Sequence, residues 1–203
     1  MKQHKNRDKS KKRATILDGA IDVFISMGYD LASMDKIAET AGVSKKTIYN
    51  HFGSKENLFQ EIVADFLAQR QILKTITYNP EISLEEQLLA FANAEIFLIN
   101  SPKRLEISRF LTIVFLKDIN YARDTVAKYP PNYGMLLDWL KEAEKDGKIK
   151  TDNLLLAARI FYALVEGGIT YPALFSKGID KSVIKPVVDE IIATFLVRYS
   201  NER

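Results

Sequence analysis

Residues Ser33–Phe59 read SMDKIAETAGVSKKTIYNHFGSKENLF. Ser33 and Ser44 are good helix N-caps, and each precedes a short run with apolar residues at helical spacing. Gly42 separates the two runs, and Ser54 opens a third. Asp35 falls in the first turn of the first run, where a negative charge suits the helix dipole. In the second run Ile48 and Phe52 lie one turn apart and face inward with Val43. That leaves Lys45, Lys46, Tyr49 and Asn50 on the outer face, which carries no acidic residue. A helix-turn-helix needs apolar residues on its inner side, a small residue where its helices cross, and a glycine in the turn. Ile37, Ala38, Ala41 and Gly42 supply these. Lysine reaches phosphates or guanine acceptors, asparagine pairs with adenine, and tyrosine hydrogen-bonds phosphate. A merely solvated surface helix would share the charge but not the whole arrangement, so the segment is expected to read DNA.

Upstream, Leu17, Ala20, Ile21, Phe24 and Met27 predict one buried helix face over about residues 10–27, ended by Gly28. Downstream, Leu58, Phe59, Ile62, Val63, Phe66 and Leu67 form a wide stripe on a fourth helix expected to run to about Ile76. Asn79-Pro80 interrupts it. Ser83 with Glu86 fits a capping box for a helix to about Asn100, and Pro102 suits the first position of the next, to about Lys117. Further helices are expected at about 121–128, 132–146, 151–175 and 186–199. No stretch alternates with period two. The chain reads as all-α, with about nine or ten helices.

Charge is uneven. Residues 1–55 hold eleven Lys or Arg against six Asp or Glu, a balance of +5, and residues 56–203 hold eighteen against twenty, a balance of −2. The basic head is therefore the expected polyanion-binding part, with seven of its cations in the first thirteen residues. No cysteine is present, and the two histidines are His4 and His51, which disfavours disulfides, thiolate catalysis and a multi-histidine metal centre. No phosphate loop or carboxylate pair points to an enzyme, and no cofactor is expected. The polar N-terminus lacks a signal-peptide core, and no uninterrupted apolar run nears the ~18 residues that span a bilayer, so a cytoplasmic, nucleoid-associated protein is expected.

The stretch Gly28–Phe59, GYDLASMDKIAETAGVSKKTIYNHFGSKENLF, resembles the N-terminal domain of the TetR family of transcriptional regulators, matching nearly every fixed position of its pattern. Ala32 departs from it where a hydroxyl is frequent, and Lys46 stands where glycine is frequent. The resemblance implies DNA contacts from Ser33, Lys45, Lys46, Thr47, Tyr49, His51 and Lys55, to which the outer-face reading adds Asn50. Ser33 and Lys55 would touch phosphate, with Lys55 as a clamp. It also implies a layout in two parts: a three-helix head over residues 1–55 with a basic arm, and a larger helical domain over 56–203 for ligand binding and dimerisation. Residues Pro131 through Gly147 to Phe175 resemble, more loosely, the C-terminal domain of one TetR subgroup.

A single reader makes few contacts, and the resemblance implies a homodimer on a palindromic operator, joined through the last two helices, whose apolar stripes could otherwise simply fill the monomer core. Leu154, Leu155, Ala158, Ile160, Phe161, Leu164 and Val165 exceed one core face, and Val187 to Leu196 carry a second stripe. The middle helices are rich in aromatics. Phe97, Phe110, Tyr133, Trp139 and Tyr162, with Glu166 as a polar handle, are the candidate lining of a small-molecule effector pocket; Arg109 and Asn93 are further handles. The expected function is a repressor released by a small, largely apolar or aromatic ligand, with the fourth helix as lever. The alternative is a nucleoid-associated DNA-binding protein with no sensor role.

Overall fold

The computed structural model describes residues 2–68, 76–129, 133–176 and 181–201; the side chains of residues 2–9 and of Ala68, Leu98 and Lys181 are outside that description. The described residues are helical throughout apart from turns and one isolated bridge, Ile149 with Ser200. They form two compact units, Met1–Gln69 with Glu106–Tyr129 and Arg70–Leu105 with Pro130–Arg203.

The first unit holds α1 (Lys2–Leu31), α2 (Met34–Thr40), α3 (Lys45–Phe52), α4 (Lys55–Ala68), most of α6 (Pro102–Lys117) and α7 (Ile119–Lys128). α1 starts earlier than its apolar pattern predicts and carries a kink at Gly28, where φ is 79°. Ile16, Leu17, Ala20, Val23 and Phe24 are buried, but Met27, beside the kink, is 42 % exposed instead of facing the core. Ser33, Ser44 and Ser54 accept hydrogen bonds from the amides of Lys36, Thr47 and Asn57, as the N-cap reading requires. A boundary at residue 55 does not follow the packing. Leu58, Phe59, Ile62 and Val63 of α4 fill the same core as Phe24, Ile37, Ile48 and Phe52, joined by Ile107, Phe110 and Leu111 of α6. The expected extension of α4 over residues 69–75 falls outside the described residues, and Ile76, its expected end, is not helical.

The second unit holds α5 (Leu84–Ile99), α8 (Gly134–Lys145), α9 (Leu154–Val165), α10 (Tyr171–Leu174) and α11 (Lys181–Tyr199). The Ser83 cap is present, accepting from the Glu86 amide. Its core joins Leu88 and Phe91 to Trp139, Phe161, Val188 and Phe195. Buried Gln87 ties this unit together. Its amide donates to the carbonyls of Asn79 and Ile82 and its oxygen accepts from the Asn79 amide and the Trp139 indole, all within 2.8–2.9 Å. α9 is capped by Asn153, later than the Thr151 or Asp152 its composition suggested. It ends in a wider π turn over Glu166–Thr170. A methyl at Gly168 would lie 3.0 Å from Val187 Cγ1 and 3.1 Å from Ile191 Cδ1, so glycine lets α11 approach here. α11 begins at Lys181 with Pro186 inside it, not at the proline. The helical run Leu154–Leu174 is long and apolar enough to cross a membrane, yet Ala157, Phe161 and Val165 are buried in this core, and Arg159 and Glu166 interrupt the run.

Candidate nucleic-acid interface

α2 and α3 meet as a helix-turn-helix. α2 ends at Ala41, Gly42 turns the chain with φ 62°, and Ser44 caps α3, its hydroxyl also 2.8 Å from that of Thr47. The turn is braced from behind by α1. A Cβ on Gly19 would lie 2.9–3.0 Å from the Cβ, Cα and N of Ala41, so only glycine fits where α1 crosses the end of α2. Ala38, the small residue expected where the helices of the helix-turn-helix cross, is buried, while Gly19, at the separate crossing of α1, stands in a run with no turn signal.

α3 buries Ile48 and Phe52 and leaves Lys45, Lys46, Tyr49 and Asn50 exposed together, with Thr47 half-buried. Ser33 is exposed at the start of α2. Lys45 is not a bare charge: its ammonium donates to Asp35 Oδ2 at 2.8 Å. That hydrogen bond, and the charge behind it, raises the Lys45 pKa above its ordinary value. His51 is half-buried, its ring 6.0 Å from that of Phe52.

Lys55 is turned into the protein. Its ammonium donates to the carbonyls of Tyr29 at 2.9 Å and Ala32 at 3.1 Å, and lies 4.6 Å from the centre of the Tyr29 ring. These carbonyls belong to the kinked end of α1 and its exit, where helical partners run out, so a cation there is doubly favourable. Ala32 itself is buried. Burial, with the Glu56 charge next, pushes the Tyr29 hydroxyl up to about 12. The Glu56 carboxyl is held below its ordinary value by its own backbone amide and by the Ser54 hydroxyl. Arg13 of α1 pairs with Glu61 and reaches Asp65 at 3.4 Å, fixing α1 to α4.

The aromatic set divides between the two units. Phe110 is in the core of the first unit, stacked 6.0 Å from Phe24. In the second unit Phe97 is 75 % exposed, while Trp139 is buried and bonded to Gln87, a core role. Tyr133 and Tyr162 do meet, with ring centres 5.7 Å apart, and half-buried Glu166 follows Tyr162 by one turn. Asn93 is exposed.

Residues 16–62, which contain this helix-turn-helix, match the family profile described as bacterial regulatory proteins, tetR family. Residues 86–201, more than half of the chain, match the C-terminal domain of AefR-like transcriptional repressors. The chain belongs to the TetR family. Among TetR-family relatives, SrpR, an HTH-type transcriptional regulator of Pseudomonas putida, is 26% identical over 175 residues, covering 85% of this chain and 80% of SrpR. A TetR-family regulator of Pseudomonas syringae pv. tomato DC3000 has a crystal structure that superposes with a TM-score of 0.77 at 28% identity, covering 94% of this chain and 98% of that one. The flavonoid-responsive regulator FrrA superposes with a TM-score of 0.70 at 25% identity, covering 96% of this chain and all of FrrA's. The protein is therefore a DNA-binding transcriptional regulator, and the exposed face of α3 lies in the segment that the tetR-family regulatory profile matches.

Proposed function

We propose that this TetR-family regulator is a repressor that binds a palindromic operator as a homodimer and is released by a small apolar or aromatic effector. The observation that carries the DNA half is the clustered exposure of Lys45, Lys46, Tyr49 and Asn50 on a capped helix whose other face is locked by Ile48 and Phe52. Lys46 and Asn50 are the base-edge readers, Tyr49 and Thr47 anchor phosphate, and Ser33 with the amides that open α2 takes another phosphate. His51 lies along the groove wall. Lys55 supports the reader by holding the end of α1.

The dimer half is supported by apolar surface that the monomer core leaves over. Ala158, Phe161 and Val165 of α9 and Val188, Ile192 and Phe195 of α11 point inward. Leu156 and Ile160, one turn apart on α9, stay 47 % and 40 % exposed, and Val197 of α11 is 88 % exposed. Such residues suit a helical face shared between two copies, and two-fold symmetry matches a palindrome.

The effector half is supported by the Tyr133 and Tyr162 pair with Glu166, and by FrrA, whose name makes it responsive to flavonoids. An effector that prefers the non-DNA-binding arrangement lowers operator affinity by the same factor as DNA lowers its own. Operator affinity measured with and without saturating flat aromatic compounds tests this reading: an affinity unchanged by a demonstrably bound compound contradicts it.

A further inference from the structure

The first unit contains a cavity of about 540 Å³, bounded by α1, α4, α6 and α7. That size lies within the range of small-molecule sites. Its walls are aromatic. Phe24, Tyr29, Phe59, Phe110 and Tyr121 line it, and their rings lock one another at centre distances of 4.9 Å (Tyr29 with Phe59) to 6.0 Å (Phe24 with Phe110). Four carboxylates, Asp30, Glu56, Glu106 and Asp118, face two cations, Arg109 and Lys117, a formal balance of −2. Glu56 keeps its charge, since its own amide and the Ser54 hydroxyl favour the ionised form.

We propose that this cavity binds an organic cation with an apolar body, and that its occupant acts on the corner between α1 and α2. Aromatic walls match the apolar body, and ring faces together with excess carboxylates select a positive charge over a negative one. The carboxylates fix the sign only; the aromatic-walled volume makes the site. The corner is within reach because Gly28 and Tyr29, the kink and the residue after it, belong to the cavity wall. The Tyr29 carbonyl is also the shortest hydrogen bond of Lys55 in this corner. A guest that shifts Tyr29 thus disturbs the tie between α4 and the end of α1, where the chain leads into α2. This effect on DNA rests on the regulator reading above, whereas the binding does not.

The test uses the full-length protein and two ions of one shape, tetraphenylphosphonium and tetraphenylborate, followed by calorimetry. One phosphonium per chain is expected, bound at least about tenfold more tightly than the borate. Ile113 lines the cavity and is 54 % exposed, so Ile113→Arg places a competing cation there without disturbing the core. It should weaken phosphonium binding at least about tenfold, as should Glu56→Gln combined with Glu106→Gln. Ile113→Ala should keep the preference for the cation. Equal affinity for both ions, no binding, or phosphonium binding untouched by Ile113→Arg overturns the site. Saturating phosphonium should weaken operator binding by wild type and not by Ile113→Arg; an unchanged operator affinity overturns the coupling. Calorimetry needs no DNA, so failure of this site and failure of the regulator reading are told apart.

Discussion

The Lys55 ammonium donates to the Tyr29 carbonyl at 2.9 Å and lies 4.6 Å from the centre of the same residue's ring. One side chain at the start of α4 thus closes the end of α1 by a hydrogen bond and by a cation over an aromatic face.

Lys55→Met removes this tie and leaves the Tyr29 and Ala32 carbonyls without their donor. A loss of about 1–3 kcal/mol of stability is expected, the range for charge-assisted hydrogen bonds to part-buried groups. A phosphate clamp behaves differently: its removal costs little stability and lowers the salt slope of DNA binding by about 1. Thermal unfolding and a salt titration of operator binding, run on the same variant, separate the roles. The structure predicts a lower melting temperature with the slope nearly intact.

Asp35 holds Lys45 at 2.8 Å, so the reading face carries less positive charge than its composition suggests. Asp35→Asn should tighten operator binding and steepen its salt dependence, because a repelling carboxylate is removed and a cation is released to phosphate. Weaker binding of Asp35→Asn would mean that the pair positions Lys45.

Gly19→Ala drives a methyl to 2.9 Å from the Ala41 Cβ and 3.0 Å from its backbone Cα and N. A rigid backbone cannot yield as a flexible side chain does, so a cost of about 1–3 kcal/mol is expected in chemical denaturation. Operator affinity should fall with it, since the displaced element leads into the turn before α3.

Tyr29 titrates in the folded protein at about 12, pushed there by burial first and by Glu56 second, against an ordinary value of 10.0. The neutral hydroxyl is the favoured folded form. Its contribution is complete below about pH 10 and is lost as pH rises toward 12. Stability should therefore decline over that alkaline window, and Tyr29→Phe should flatten the decline. An identical decline in both proteins would assign it to other groups.

Much of the head was legible in the sequence because it rests on local chemistry. Ser33, Ser44 and Ser83 cap their helices, Gly42 turns with positive φ, and Ile48 and Phe52 share a buried face, all readable from types and spacing. Long-range packing was not legible. Nothing local marks Gly19 as a contact of Ala41, or says that α4 and the later part of α6 pack with the head. The site reading divides in the same way. Spacing put Lys45, Lys46, Tyr49 and Asn50 on one face, but the partners of Lys45 and Lys55 are ten and twenty-three or more residues away. Aromatic content could not tell a core residue such as Trp139, bonded to Gln87, from an exposed one such as Phe97.

The central claim is that α3 of a symmetric pair reads DNA. Selection of binding sequences from a pool of random duplexes by the purified protein tests it most directly. The account predicts enrichment of an inverted repeat whose half-sites lie about one helical turn, or a multiple of it, apart, and its loss in Lys46→Ala combined with Tyr49→Ala. Recovery of no preferred sequence, or of the same repeat by the double variant, would contradict it.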